Sequence, residues 1–144
     1  MINDVTTTLD NPPVFEVLLG KSENRQAGFK SEASDVHARK YPNLKPLSTS
    51  LDASELYKLA IEVAKSEFSW EIAMKDPERT RFEAVATTFL LRFKDDVVVE
   101  VRKQDAEGSG LHIRSRSRLG RSDLGANKKR IDQFLKSVEV RLAS

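Results

Sequence analysis

The hydrophobic period changes twice along this chain, and that change limits the fold more than any other feature. In "DASELYKLAIEVAKS" (52–66), Leu56, Leu59, Ala60, Val63 and Ala64 recur at helical spacing. Asp52 followed by Glu55 makes an acidic version of the capping box at its start. The period then drops to two. Phe68, Trp70, Ile72 and Met74 alternate with polar or small residues, as in a half-buried strand. "RFEAVATTFLLRF" (81–93), "DVVVEVRK" (96–103) and "LHIRSRSR" (111–118) continue as strands, separated by "KDPERT" and "QDAEGSG". Helical spacing returns in Leu124, Ile131, Phe134, Leu135, Val138 and Leu142. "PLSTS" (46–50) fits a short first strand.

Short turns between successive strands predict an antiparallel sheet, and two amphipathic helices need one of its faces. The expected fold is α+β: a two-layer sandwich of four to five mostly antiparallel strands with two helices on one face, in the order (β)αββββα. The alternation in 81–93 changes parity between Ala84 and Phe89, which predicts a bulge near Thr87-Thr88. Residues 1–44 read as an extended leader and 45–144 as a single α+β domain. The leader contains "PPVFEVLLG" (12–20) as an apolar segment laid on a surface, and a short helix near 31–40.

Of 144 residues, 39% are hydrophobic and 32% charged, which suits a globular chain with a real core. There is no cysteine, so disulfide, thiolate and cysteine-metal chemistry are excluded. No apolar run approaches the roughly 20 residues that cross a bilayer. The polar start "MINDVTTTLD" lacks the basic region of a signal peptide.

The net charge of +2 hides an uneven distribution. Residues 114–130 hold seven Lys/Arg and one Asp, leaving seventeen basic and twenty-one acidic residues elsewhere. Alternation puts Arg114, Arg116 and Arg118 on one strand face. Arg121 and Lys128–Arg130 surround the start of the last helix, where unpaired N–H groups attract anions. Ser117, Ser122 and Asn127 add hydrogen-bond donors, and Ser122 or Asp123 is the expected N-cap. Two readings follow. Arg114, Arg116, Ser117, Arg118, Arg121, Ser122 and Asn127 bind a small anion or an anionic lipid headgroup. Alternatively the arginines pair internally with Asp95, Asp96, Glu100, Glu71 or Glu83 across strands, and Asp123 ties down the loop. Aromatic residues do not interleave with the cations, so nucleic acid is not expected as a partner.

Catalysis has thin support. His112 lies among arginines, which lowers its proton affinity, and His37 lies in the leader. Neither gives Ser115, Ser117 or Ser122 an oriented base. A hydrolase or transferase using Asp95 or Asp96 as base, with the arginines as clamp, is the catalytic alternative. "KDD" (94–96) offers too few oxygens for a hard cation, and neither a metal nor a cofactor is expected. Phe89, Leu91, Phe93 and Val98 form a second apolar surface, to be covered by segment 12–19 or by a protein partner.

"RFEAVATTFLLRFKDDVVVEV" and "HIRSRSRLGRSDLGANKKRI" together resemble the family of domains of unknown function numbered 1499. Its members carry a similar strand pair ending in "DDV" and a "RS.SR.G.SDLG.N..RI" ending. The likeness extends through "YPNLKPL", "WEIAMKDPERTRFEAVATT" and "TTTLDNPPVFEVL", the last being similar to a lead-in of a proteobacterial, membrane-associated branch. The resemblance implies no established enzymatic activity. It implies an extracytoplasmic domain that follows membrane helices in a longer protein, or a form lacking those helices, with a cytoplasmic location as the alternative. The cysteine-bearing start of lipoprotein members is absent. Its recognisable positions here are Asp95, Asp96, Arg114, Ser115, Ser117, Arg118, Gly120, Ser122, Asp123, Gly125 and Asn127.

Overall fold

The computed structural model describes residues 2–19, 31–105, 107–120 and 123–144, with only the backbone of 31–33. The described elements are β1 (Asp4–Thr6), α1 (Ser31–Lys40), β2 (Leu47–Thr49), α2 (Ala53–Ser66), β3 (Glu71–Asp76), β4 (Arg81–Thr87), β5 (Lys94–Lys103), β6 (Ser109–Ser117) and α3 (Ala126–Leu142). The class is α+β, as expected from the periods. The sheet is antiparallel and six-stranded, ordered β1-β6-β5-β4-β3, and β2 also pairs with β6. Three helices accompany it among the described residues. The expected four to five strands and two helices therefore match only in outline.

Local chemistry accounts for the elements that the periods predict. Asp52 caps α2 by accepting from the Glu55 N–H at 2.9 Å, where the free N–H groups and helix dipole favour a carboxylate. Leu56, Ala60, Val63 and Ala64 are fully buried on the helix face that meets the sheet. After α2 the chain reverses through Ser69 at φ 54°, so β3 starts at Glu71 instead of Phe68. Trp70 leaves this turn to stack on Phe134 of α3, with ring centroids 4.8 Å apart.

Strand β4 explains its own irregular sequence pattern: both of its faces are covered. Phe82, Ala84 and Ala86 join the main core with α2 and α3, while Val85 joins Phe15, Leu18 and Val98 in a smaller core on the opposite face. A strand buried on both sides does not alternate cleanly. The strand stops at Thr87. The register shift lies between Ile72 and Met74 of β3, not near Thr87-Thr88.

The 12–19 segment covers the sheet face away from the helices. Phe15 is 1% exposed, and burying such a side chain contributes about 2–3 kcal/mol. Its anchorage is polar. The buried Glu83 carboxylate accepts from three successive backbone N–H groups, those of Glu16, Val17 and Leu18, at 2.9–3.1 Å. The segment covers Val85 and Val98. It does not cover Phe89, Leu91 or Phe93, which lie beyond the end of β4 and are exposed.

Candidate functional site

Strand β6 divides the sequence-predicted site between two sides of the sheet. Arg114 and Arg116 point to the 12–19 segment and are 0% and 1% exposed. Ser115 and Ser117 point to α3. The anion cluster expected at the helix start is thus split by the alternation that suggested it.

On the first side, Arg114 makes a two-pronged contact with Asp4. Its Nε donates to Oδ1 at 2.9 Å and its Nη2 to Oδ2 at 2.7 Å, while Nη1 donates to the Pro13 carbonyl at 3.0 Å. The Arg116 guanidinium lies 4.4 Å from the Phe15 ring centroid and 4.0 Å from Asp96. Burial, and then the adjacent Arg114 cation, lower its proton affinity. Arg118 donates through Nε to Asp96 Oδ1 at 2.8 Å. Burial raises the Asp96 pKa, and Arg118 and Arg116 oppose that rise.

On the helix side, buried Asn127 is the hub. Ser115 Oγ donates to its Oδ1 at 2.6 Å, and its Nδ2 reaches Ser117 Oγ at 2.9 Å and Asp123 Oδ2 at 2.8 Å. Asp123 also accepts from the Gly125 N–H at 2.8 Å and the Asn127 N–H at 3.2 Å. The helix start therefore already holds a carboxylate from its own chain. Asp123 supplies the expected capping contact, although the residue directly before α3 is Gly125, at φ 85°. Arg130 pairs with Asp95 at 2.8 Å. Burial raises the Asp95 pKa against the pull of Arg130. Arg121 and Ser122 lie outside the described residues.

Between the 88–93 turn and the end of β6 lies an open groove of about 710 Å³. Its walls are Leu90, Leu91, Phe93, Leu119 and Leu124, and its polar lining includes Asp95, Ser117, Arg118 and Asp123. Thr88 builds the turn: its N–H donates to the Phe93 carbonyl and its Oγ1 accepts from the Phe93 N–H, both at 2.8 Å. Arg92 at φ 56° then returns the chain to β5. A closed six-residue turn takes the place of the expected strand end, and it displays its apolar side chains instead of burying them.

The two histidines serve the leader. His37, buried on α1, accepts from the Thr6 N–H at 3.0 Å, and burial lowers its pKa. His112 shares a 2.5 Å hydrogen bond with the Thr8 hydroxyl. Its pKa falls to about 4, first through burial and then through Arg102. The expected direction is right, but Arg102, not the arginines of its own strand, is the cation responsible. Ser115 and Ser117 face α3 and bond Asn127, away from His112. Among the described residues, no group of three or more His, Asp or Glu is placed to hold a metal ion. No helix among them is long and apolar enough to cross a membrane.

The leader's contributions are the main residues that sequence reasoning missed. Asp4, Thr6, Asn3 and Ile2 bind β6, His37, Gly120 and Asp123. "DVT" is too short and polar to signal a strand. An acid close to the start of a chain with a buried arginine cluster was the available clue.

A family model described as "Protein of unknown function (DUF1499)" matches residues 4–138, and the chain belongs to that family. No curated protein matches the sequence.

Proposed function

We propose that this is a non-catalytic binding domain whose site is the groove between the 88–93 turn and the end of β6. The ligand class is an amphiphilic anion. The apolar walls suit an alkyl or aryl body, and Arg118, with exposed Arg92 and Lys94 beside it, suits a negative head. The carrying observation is that wide apolar walls stand over a polar floor containing an arginine. Of the anion-binding residues read from the sequence, Ser117 and Arg118 line this groove. The internal partners of Arg114 and the far-side position of Arg116 favour structural roles for those two. Asn127 supports the floor from beneath. A location outside the cytoplasm rests on family resemblance, and fractionation of the natural protein tests it.

Thermal denaturation with decanoate and with decyltrimethylammonium tests the ligand class. Decanoate raises Tm and the cation does not. Saturation at a hundred times Kd adds about 2.7 kcal/mol. Leu91→Asp, at an exposed wall position, removes the effect without changing the fold. An absence of any shift with decanoate overturns the reading.

One observation favours a catalytic alternative. Asp95 borders the groove with its pKa raised by burial, the property of a general acid or base. Turnover of esters or phosphoesters that is lost in Asp95→Asn, with decanoate binding retained, replaces the binding reading by that one.

A further inference from the structure

The side chains at and beside the groove's mouth raise a separate question, because the most exposed of them are among the most apolar. Phe89 is 89% exposed, Leu90 86%, Leu119 61% and Leu124 95%. Three of the four border one groove, so they sit together at the end of the sheet where β4 leaves and β6 finishes. A chain with a well-filled core has no packing reason to leave four large apolar side chains at one end in water. Cations accompany them. Arg92, Lys94 and Lys129 are exposed, and among the described residues no carboxylate pairs with any of the three. The acids nearest them in sequence are engaged elsewhere: Asp95 pairs with Arg130, Asp96 with Arg118 and Asp132 with Lys128.

We infer that this end of the domain docks on the surface of an anionic lipid bilayer, with Phe89, Leu90, Leu119 and Leu124 entering the headgroup–acyl boundary and Arg92, Lys94 and Lys129 meeting lipid phosphates. Apolar tips with a basic collar match the two contributions to interfacial binding, buried apolar area and attraction to negative headgroups. The 88–93 turn suits insertion because Thr88 closes its backbone hydrogen bonds at the base, through the Phe93 N–H and carbonyl and the Arg92 N–H. The main-chain groups at the base of the turn are then satisfied internally when its tip enters the headgroup region, where water still reaches the rest. Charge complementarity selects a lipid surface over a second copy of this chain, since two copies joined at this end bring like-charged collars together.

Co-sedimentation with vesicles of phosphatidylcholine alone, and of phosphatidylcholine and phosphatidylglycerol in equal parts, tests the inference. The expected result is binding to the anionic vesicles that weakens with salt, and little binding to the neutral ones. Phe89 does not line the groove, so Phe89→Ser lowers vesicle affinity roughly tenfold while the decanoate effect on Tm persists. Arg92→Gln with Lys94→Gln flattens the salt dependence. A wild-type protein that stays in the supernatant with anionic vesicles at low salt overturns the inference. So does equal binding to both vesicle types that Phe89→Ser leaves unchanged, or self-association through this end without vesicle binding. Vesicle binding without a decanoate effect leaves docking standing and removes the groove ligand; the converse removes docking alone.

Discussion

Asp95 and Asp96, adjacent on β5, point to opposite faces of the sheet and neutralise different arginines. Asp95 holds Arg130 of α3, and Asp96 holds Arg118 while lying 4.0 Å from Arg116. Their partners across the strand pair are Ser117 and Arg116, so one dipeptide connects the helix layer and the leader layer through β6. The cationic segment is thereby built into the fold on both sides, and Arg118, just past the end of β6, also borders the groove.

Removing the Asp96 carboxyl group leaves buried guanidinium groups without that charge partner and hydrogen-bond acceptor. Asp96→Ala is expected to cost about 3–5 kcal/mol, because an unpaired buried cation is far more costly than loss of a surface pair. Urea unfolding followed by Trp70 fluorescence measures it. A loss below about 1 kcal/mol shows that the pair contributes little.

The leader is held by ionic hydrogen bonds as well as by buried Val5, Phe15 and Leu18, so losing one ionic contact should loosen it before the rest of the core melts. Asp4→Asn halves the contact with Arg114 and weakens β1 by about 2 kcal/mol. Limited proteolysis near residues 7–19 should accelerate at temperatures where circular dichroism of the helices is unchanged. Cleavage that keeps the wild-type rate contradicts the tether.

Acid sensitivity should trace to His112. Its folded pKa of about 4 lies below the ordinary 6.5, so the unfolded chain binds the proton more readily. The stability this group provides is complete above pH 6.5 and is lost as pH falls through about 4, by up to roughly 3 kcal/mol. His37 acts in the same direction. Asp95 and Asp96, with raised values, act in the opposite direction, gaining stability as pH falls toward their range. The test is therefore a difference: His112→Gln should have a shallower decline than wild type between pH 6.5 and 4. Parallel curves refute the assignment.

The sequence made the main core legible because its signals are local. Leu56, Ala60 and Val63 repeat at helical spacing, and Val97, Val99 and Val101 at strand spacing, so their faces follow from geometry alone. The helix near 31–40 and the Asp52 cap were equally readable. What escaped depends on distant partners. Nothing near Asp4 announces Arg114, 110 residues away, and nothing in "PPVFEVLL" announces that its N–H groups would wrap the Glu83 carboxylate. For the site, alternation correctly aligned Arg114, Arg116 and Arg118 on one face. The error was to join that face to the helix start, which meets the opposite parity. The "TTFLLRF" run was misassigned because apolar β-formers look alike in a strand and in an exposed turn. Thr88 closing on Phe93 settles the matter, and that contact has no periodic signature.

The central claim, a groove that takes an amphiphilic anion, is tested most directly by mapping backbone amide shifts in two-dimensional NMR during titration with decanoate. The account predicts saturable changes concentrated at residues 88–95 and 117–126, with Ser117, Arg118 and Gly120 among them and the β2–α2 region silent. Changes scattered over the surface, or centred away from those two segments, would contradict it.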